Sequence, residues 1–135
     1  NEKERIVMIH AAIMGSIERF LSTLIEHVNG NFPLWLAPVQ VKIIPVGENH
    51  HAKATEMFDM LKEKMIRAEI DLSNDGFGKK IREAKVSRAP YFIIIGDKDI
   101  AVGKVTLESR DAGQIGQISE DEVIKRILTE IKEKK

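Results

Sequence analysis

The sequence predicts an α/β fold: a mixed sheet of four to five strands, mostly parallel, flanked by about three helices and preceded by one further helix. From Val39 onward, two kinds of segment alternate along the chain. Strand-like segments are short and either continuously apolar or alternately apolar and polar, and helix-like segments have apolar residues at helical spacing. Strands separated by helices favour right-handed parallel crossovers. The third and fourth predicted strands are joined by a short link, which favours an antiparallel pair.

A proline-containing segment, residues 32–46, divides the chain. Its two early prolines cannot donate to a strand ladder, and the β-branched residues that follow them predict the first strand of the sheet. Before the segment, residues 5–9 resemble a short strand, and the apolar residues that follow at helical spacing predict a helix. We therefore expect two parts, residues 1–31 and residues 32–135.

The later elements follow from composition and periodicity. The sequence predicts a helix capped by Asn49, a strand over 67–71, a loop over 72–76, a basic helix over 78–88, a strand over 91–96, a turn over 97–103, a strand over 104–108, a loop over 109–118, and a last helix that begins with the capping box of Ser119 and Glu122.

Composition narrows the class of protein. The 135 residues include 21 Lys and Arg against 21 Asp and Glu, and this zero net charge argues against a strongly electrostatic nucleic-acid binder. The absence of cysteine excludes disulfides and thiolate metal sites, and we expect a cytoplasmic protein. No apolar run approaches a membrane span, so we expect no membrane partner. Because the chain begins with Asn1, we expect it to be part of a longer protein.

Taken alone, the residues offer no complete catalytic constellation. The chain has no dinucleotide fingerprint, no Walker A motif and no zinc-protease motif. His50 and His51 stand at a predicted helix start, where we expect them to be solvated. The predicted basic helix carries five cations against the single acid Glu83, and either a solvated surface or a phosphate-contacting edge accounts for this local charge.

Two stretches resemble a known family. Residues 8–20 (MIHAAIMGSIERF) are similar to motif 3 of the class II aminoacyl-tRNA synthetases, in the form found in the threonyl-tRNA synthetase family. Residues 32–41 (FPLWLAPVQV) are similar to the junction with that family's anticodon-binding domain. Shorter pieces at 80–84, 90–91, 96–98 and 103–105 also agree, so the resemblance covers essentially the whole chain.

The resemblance implies that residues 1–31 end a catalytic domain and that residues 32–135 form an anticodon-binding domain. It implies that Arg19 contacts ATP in the parent enzyme, since a guanidinium offers several fixed donors to a triphosphate. It also implies that His10 binds zinc in the parent only, because a zinc site needs further ligands and this chain has no cysteine. We expect no cofactor on this chain alone, a homodimeric parent, and a monomeric fragment.

The resemblance further implies that the domain recognises the anticodon of threonine tRNA, so that the parent attaches threonine using ATP. The central anticodon base of this tRNA is guanine, whose N1–H and N2–H₂ donors suit a carboxylate, and the family's glutamate corresponds to Asp99 here. Asn74 and Arg82 correspond to an asparagine and an arginine near the anticodon. Two alternatives to anticodon contact remain: Asp99 is a residue that stabilises a turn, and Arg82 has a structural role.

The sequence departs from the family pattern at three positions. Glu108 stands where an arginine helps to read the last anticodon base, Gly76 replaces a loop lysine, and Ala11 replaces a motif 3 arginine. A carboxylate near phosphate repels it, so these changes predict weaker anticodon binding. They motivate an alternative, a stand-alone accessory or RNA-binding subunit without ligase activity. A generic small-ligand domain would leave the motif 3 stretch unexplained.

Overall fold

The computed structural model describes residues 3–12 and 14–135. Residues 1 and 2, and Ile13 within the motif 3-like stretch, lie outside the described residues. The chain forms two compact units, Asn1–Gly30 and Asn31–Lys135, which are described separately below.

The first unit contains one helix, α1 (Ile17–His27). Ser16 caps it, because its Oγ accepts a hydrogen bond from the Arg19 backbone N–H at 3.5 Å. The helix buries none of its residues. The strand predicted over residues 5–9 is wrong, since these residues form no regular structure. A strand requires a neighbouring backbone to complete its hydrogen bonds, and the described residues of the first unit provide none for this stretch.

The second unit is built on a five-stranded sheet with the order β2-β1-β3-β4-β5. The strand β1 pairs in parallel with β2 and β3, whereas β4 pairs antiparallel with β3 and β5. The mixed sheet is confirmed: it has two parallel and two antiparallel pairs, and every strand except β4 runs in the same direction. The strands are β1 (Val41–Pro45), β2 (Ala68–Ile70), β3 (Tyr91–Ile95), β4 (Val105–Ser109) and β5 (Gly113–Ile118).

Four helices accompany the sheet: α2 (His51–Glu63), α3 (Phe77–Val86), α4 (Asp97–Val102) and α5 (Glu120–Lys132). The main core joins α2 and α5 to one face of the sheet, where alternate strand residues such as Ile43, Ile93 and Leu107 are fully buried. On the opposite face α3 packs on β1 and β3, with Ala84 against Ile44 and Phe92. The capping box that begins α5 is confirmed.

Two elements differ from the sequence predictions. The turn expected over 97–103 contains the helix α4, which is too short to show helical periodicity and ends at Gly103 with a φ of 61°. The loop expected over 109–118 contains the edge strand β5, whose glycines lower its strand propensity. In addition, Asn49 does not cap α2, because it lies inside a 3₁₀ turn, Glu48–His50, that precedes the helix.

A clamp of polar groups holds the proline-containing segment against the sheet. Gln40 is 1% exposed; its Nε2 donates to the Leu34 carbonyl at 2.9 Å, and its Oε1 accepts from the Arg67 backbone N–H at 2.9 Å. The Arg67 guanidinium in turn donates to the carbonyls of Trp35 and Ala37, each at 2.9 Å. These bonds fix the path of the chain just before β1.

Candidate nucleic-acid interface

Two of the predicted site residues lie beyond the carboxyl ends of β2 and β3, the strands on either side of β1. Because β1, β2 and β3 are parallel, their carboxyl ends meet at one edge of the sheet. Asn74 lies in the loop after β2, and Asp99 lies in α4, directly after β3. Ligands commonly bind at this edge in open α/β sheets.

The loop that carries Asn74 is anchored from below by a buried lysine. Lys80 of α3 is 2% exposed, and its Nζ donates to the backbone carbonyl of Asp71 at 3.3 Å. The Ser73 N–H donates to Asp71 Oδ1 at 3.0 Å. Burial acts to raise the pKa of Asp71, but the hydrogen bonds from Ser73 and the charges of Lys80 and Lys42 outweigh it, so the pKa lies below its usual value. Asn74 itself is exposed at the tip of this anchored loop.

Asp99 is buried, and both of its carboxylate oxygens accept hydrogen bonds within the chain. It is 5% exposed, and its Oδ2 accepts the Gly96 backbone N–H at 3.0 Å. Its Oδ1 accepts the Thr106 hydroxyl at 2.7 Å and the Gln117 Nε2 at 2.8 Å. The carboxylate therefore joins the start of α4 to the neighbouring strands β4 and β5.

The expectation that His50 is solvated is wrong, because His50 is 5% exposed. Its Nδ1 accepts the Gly47 N–H at 3.0 Å, so the other ring nitrogen, Nε2, donates to Asp97 Oδ1 at 3.0 Å. This pair of bonds ties the turn after β1 to the first residue of α4. His50 thereby supports the helix that carries Asp99.

The sheet leaves an open face next to α3, which we define by Thr106, Glu108, Gln114 and Gln117. Thr106 pairs with Gln117 and Glu108 with Gln114, so all four side chains belong to the same face. Residues 114 and 117 would lie on opposite faces of a regular strand; a bulge opposite Leu107 and Glu108 brings them to one face. Gly116 has a φ of 113°, which a residue with a side chain rarely adopts.

The cations of α3 are used unequally. Lys80 is buried, Lys79 pairs with Asp75 at 2.9 Å, and Lys85 pairs with Glu108 at 3.0 Å. Arg82 is exposed and, within the described part of the chain, forms no ion pair. It lines a shallow groove along α3 with Lys85 and with Arg88, which follows the helix. Exposed guanidinium groups of this kind suit phosphate, so the groove favours an anionic backbone.

Glu108 is less repulsive than the sequence alone indicates. Its side chain is 20% exposed, and Lys85 of α3 neutralises it across the boundary between helix and sheet. The pair stands beside a concavity lined also by Phe92 and Arg110. The inverted charge at position 108 is thus accompanied by a cation supplied from the adjacent helix.

Two other concave regions are poorer candidates for an anion. A groove beside β2 carries four carboxylates, of Glu69, Asp71, Asp75 and Glu83. At the opposite edge of the sheet, the Tyr91 hydroxyl donates to Glu130 at 2.7 Å and accepts from Arg126 Nε at 3.2 Å. These polar groups satisfy one another, and burial is the main cause that raises the pKa of Tyr91.

The structure thus brings Asp99 and Glu108 to the same side of the sheet, with Arg82 on the flanking helix and Asn74 on the loop after β2. Sequence reasoning missed Thr106 and Gln117, and it counted Lys80 among the cations of the basic helix without predicting that Lys80 is buried and anchors the loop after β2. The bulge that brings Gln117 to this side has no simple sequence signal, although Gly113 and Gly116 on either side mark an irregular strand. The burial of Lys80 could have been predicted from its position four residues before the buried Ala84 on α3.

The predicted parent-enzyme residues lie in the first unit. His10, Ala11 and Arg19 are all exposed. The described residues contain no group of three His, Asp or Glu side chains that could hold a metal ion. A single histidine does not make a zinc site, so these residues alone do not fit the metal.

The fold agrees with comparisons to known proteins. The profile of the family described as "Anticodon binding domain" matches residues 40–130. The chain therefore belongs to the family of anticodon-binding domains.

Curated proteins with similar sequences include threonine-tRNA ligases. The chain is 48% identical over 130 residues to a threonine-tRNA ligase of Caldanaerobacter subterraneus subsp. tengcongensis, covering 96% of this chain and 20% of that protein. It is 47% identical over 133 residues to the threonine-tRNA ligase of Clostridium botulinum strain Hall, covering 98% of this chain and 21% of the relative. The chain thus spans about a fifth of the length of these curated relatives.

A solved structure is also similar: the RNA binding domain of threonyl-tRNA synthetase from Cryptosporidium parvum Iowa II. The TM-score is 0.80 at 29% identity, covering 87% of this chain and 30% of that one.

Among residues 3–12 and 14–135, no helix has the length and hydrophobicity to cross a bilayer.

Proposed function

We propose that this chain is the anticodon-binding part of a threonine-tRNA ligase and that it binds the anticodon loop of threonine tRNA on the open face. The observation that carries the proposal is the near-complete coverage of the chain by ligases of 47 to 48% identity. The domain contributes recognition and orientation rather than chemistry, since binding energy at a remote site positions the reacting end of a substrate.

The proposed interface divides into a backbone edge and a base-reading region. Arg82 and the adjacent groove of α3 contact phosphates of the RNA. Asn74 contacts the anticodon loop from the edge of the sheet where the parallel strands have their carboxyl ends. Asp99 and Glu108 lie on the side where unstacked bases would be read through their Watson–Crick edges. Because Asp99 already accepts three hydrogen bonds, its contribution to the recognition of guanine depends on the residues that it holds.

For the parent enzyme we propose ligation of threonine at the expense of ATP in the cytoplasm, with Arg19 contacting ATP and His10 serving as one zinc ligand. The remaining zinc ligands would have to come from outside this chain.

We propose a homodimeric parent and a monomeric fragment. Sedimentation velocity of this chain is expected to give the mass of one chain, and twice that mass would contradict the monomer.

The alternative, a stand-alone accessory subunit, is less favoured because the similar proteins are ligases. The gene decides between the two. A reading frame that encodes the remaining synthetase motifs and the zinc-binding Cys and His upstream of this region supports the ligase. Their absence from the gene would support the accessory subunit.

The proposal is tested by titrating the chain with an RNA anticodon stem-loop of threonine tRNA and with a copy in which the central guanine is replaced, at two salt concentrations. We expect tighter binding of the cognate RNA at both concentrations. We also expect Asp99→Ala to weaken binding of the cognate RNA more than binding of the replaced one. Weak binding that depends wholly on salt, without discrimination by the unsubstituted chain, would contradict the proposed function.

Replacing Glu108 tests the charge balance of the interface. Glu108→Gln removes the anion that engages Lys85 at 3.0 Å, so we expect about threefold to tenfold tighter RNA binding and a salt slope steeper by about 0.7, the value for one added phosphate contact on a single strand. The matched control is Glu133→Gln, which also removes an ion-paired carboxylate, that of the pair with Lys135 beyond α5. Unchanged binding by Glu108→Gln would show that the RNA does not approach this pair, and weaker binding would show that the Glu108 carboxylate itself contributes to binding.

A further inference from the structure

We infer that Gln117 is a base-contacting, specificity-determining residue and that Asp99 is the residue that positions it; the inference rests on the proposed function. The first observation is the bond between them, in which Gln117 Nε2 donates to Asp99 Oδ1 at 2.8 Å. An ionised carboxylate only accepts hydrogen bonds, so the amide nitrogen must face Asp99. The side-chain oxygen of Gln117 is thereby directed away from Asp99, and its amide orientation is fixed.

The second observation is the position of the residue in the sheet. Gln117 is exposed, and the bulge opposite Leu107 and Glu108 brings it to the open face. Bulges are enriched near functional sites because they redirect a side chain. The strand thus departs from regular geometry in a way that presents this particular amide on the side of the sheet next to the arginine-lined groove.

The third observation is the burial of Asp99 itself. At 5% exposure, with donors from Gly96, Thr106 and Gln117 in place, its carboxylate has little surface for direct contact with a base. Gln117 is exposed and retains an acceptor oxygen and one amide hydrogen. An unstacked base offers complementary donors and acceptors on its Watson–Crick edge, with N1–H next to O6 in guanine.

The side chain of Gln117, unlike those of its neighbours Gln114 and Glu108, is already oriented for contact with a base. Gln114, also on the open face, forms no side-chain hydrogen bond within the described residues, so binding would have to immobilise a free side chain at an entropic cost. The carboxylate of Glu108 is paired with Lys85. Gln117 is held in one orientation before any RNA arrives, which favours a selective contact.

The test measures the ratio of affinities for the cognate stem-loop and for the copy with the central guanine replaced, in Gln117→Met, Asp99→Ala and the double variant. Methionine keeps the length of glutamine and removes both polar atoms. We expect each single variant to lower the ratio about fivefold to 100-fold, the range for losing a bidentate base contact. We expect the double variant to match the single ones, since Asp99 acts through Gln117. The control, Glu133→Met beyond α5, also replaces a polar side chain by methionine but lies outside the open face, and it keeps the ratio of the unsubstituted chain.

Each other outcome overturns the inference. If Asp99→Ala lowers the ratio further in the Gln117→Met background, Asp99 reads the base itself. If Gln117→Met keeps full discrimination, Gln117 makes no base contact, while the proposed function survives because the unsubstituted chain discriminates. If the unsubstituted chain fails to discriminate, the proposed function fails first. Should Asp99→Ala not fold by thermal melting, the ratio measured for Gln117→Met still decides.

Discussion

Ile93→Ala is expected to lower the free energy of unfolding by about 2 to 5 kcal/mol, the range for removing a buried isoleucine side chain and leaving a cavity. Ile93 is fully buried in the central strand β3, which is hydrogen-bonded on both sides, and belongs to the core shared with α2 and α5. Domains of this size have only about 5 to 15 kcal/mol of stability in total, so the loss is large. Urea unfolding followed by circular dichroism measures it.

The adjacent residue provides the matched control. Ile94 is of the same type on the same strand but points to the opposite face, where it is half-buried. We expect Ile94→Ala to cost less than half as much as Ile93→Ala. Equal losses would show that the face covered by α2 and α5 is not the main core.

Gln40→Ala is expected to cost about 2 to 4 kcal/mol of unfolding free energy. The substitution leaves the Leu34 carbonyl and the Arg67 N–H without the partners that Gln40 supplies at 2.9 Å, and an unsatisfied buried polar group costs about 1 to 3 kcal/mol. It also frees the proline-containing segment before β1. Chemical unfolding measures the loss, and protease digestion reports whether residues 31–40 become accessible.

Gln114→Ala is the matched control for Gln40→Ala, because it removes the same type of side chain from an exposed position, on β5. Its expected effect lies within about 0.5 kcal/mol of zero. A loss below about 1 kcal/mol for Gln40→Ala would contradict a clamping role for the buried amide.

The fold was predictable wherever one local pattern dominates. The apolar run of β3 predicts a strand, and the capping box at Ser119 predicts the start of a helix; neither prediction depends on the rest of the chain. The short helix α4 and the glycine-containing strand β5 escaped prediction because tertiary contacts define them. Asp99 completes the cap of α4 and holds β5 through Gln117, and such long-range bonds leave no periodicity in the sequence.

The residues of the candidate site could be selected from the sequence, but the contacts between them could not. The family resemblance selected Asn74, Arg82, Asp99 and Glu108, and the second unit carries them around one side of the sheet. The ion pair between Glu108 and Lys85 joins residues 23 positions apart on different elements. The burial of Asp99 depends likewise on contacts that only the folded chain provides.

The central claim is that RNA binds on the open face and the adjoining groove of α3. It is tested most directly by recording backbone amide NMR spectra of the chain during titration with the threonine tRNA anticodon stem-loop. We expect the shifts to concentrate at Asn74, Arg82, Thr106, Glu108 and Gln117. Shifts concentrated instead around Arg126 and Glu130, at the opposite edge of the sheet, would contradict it.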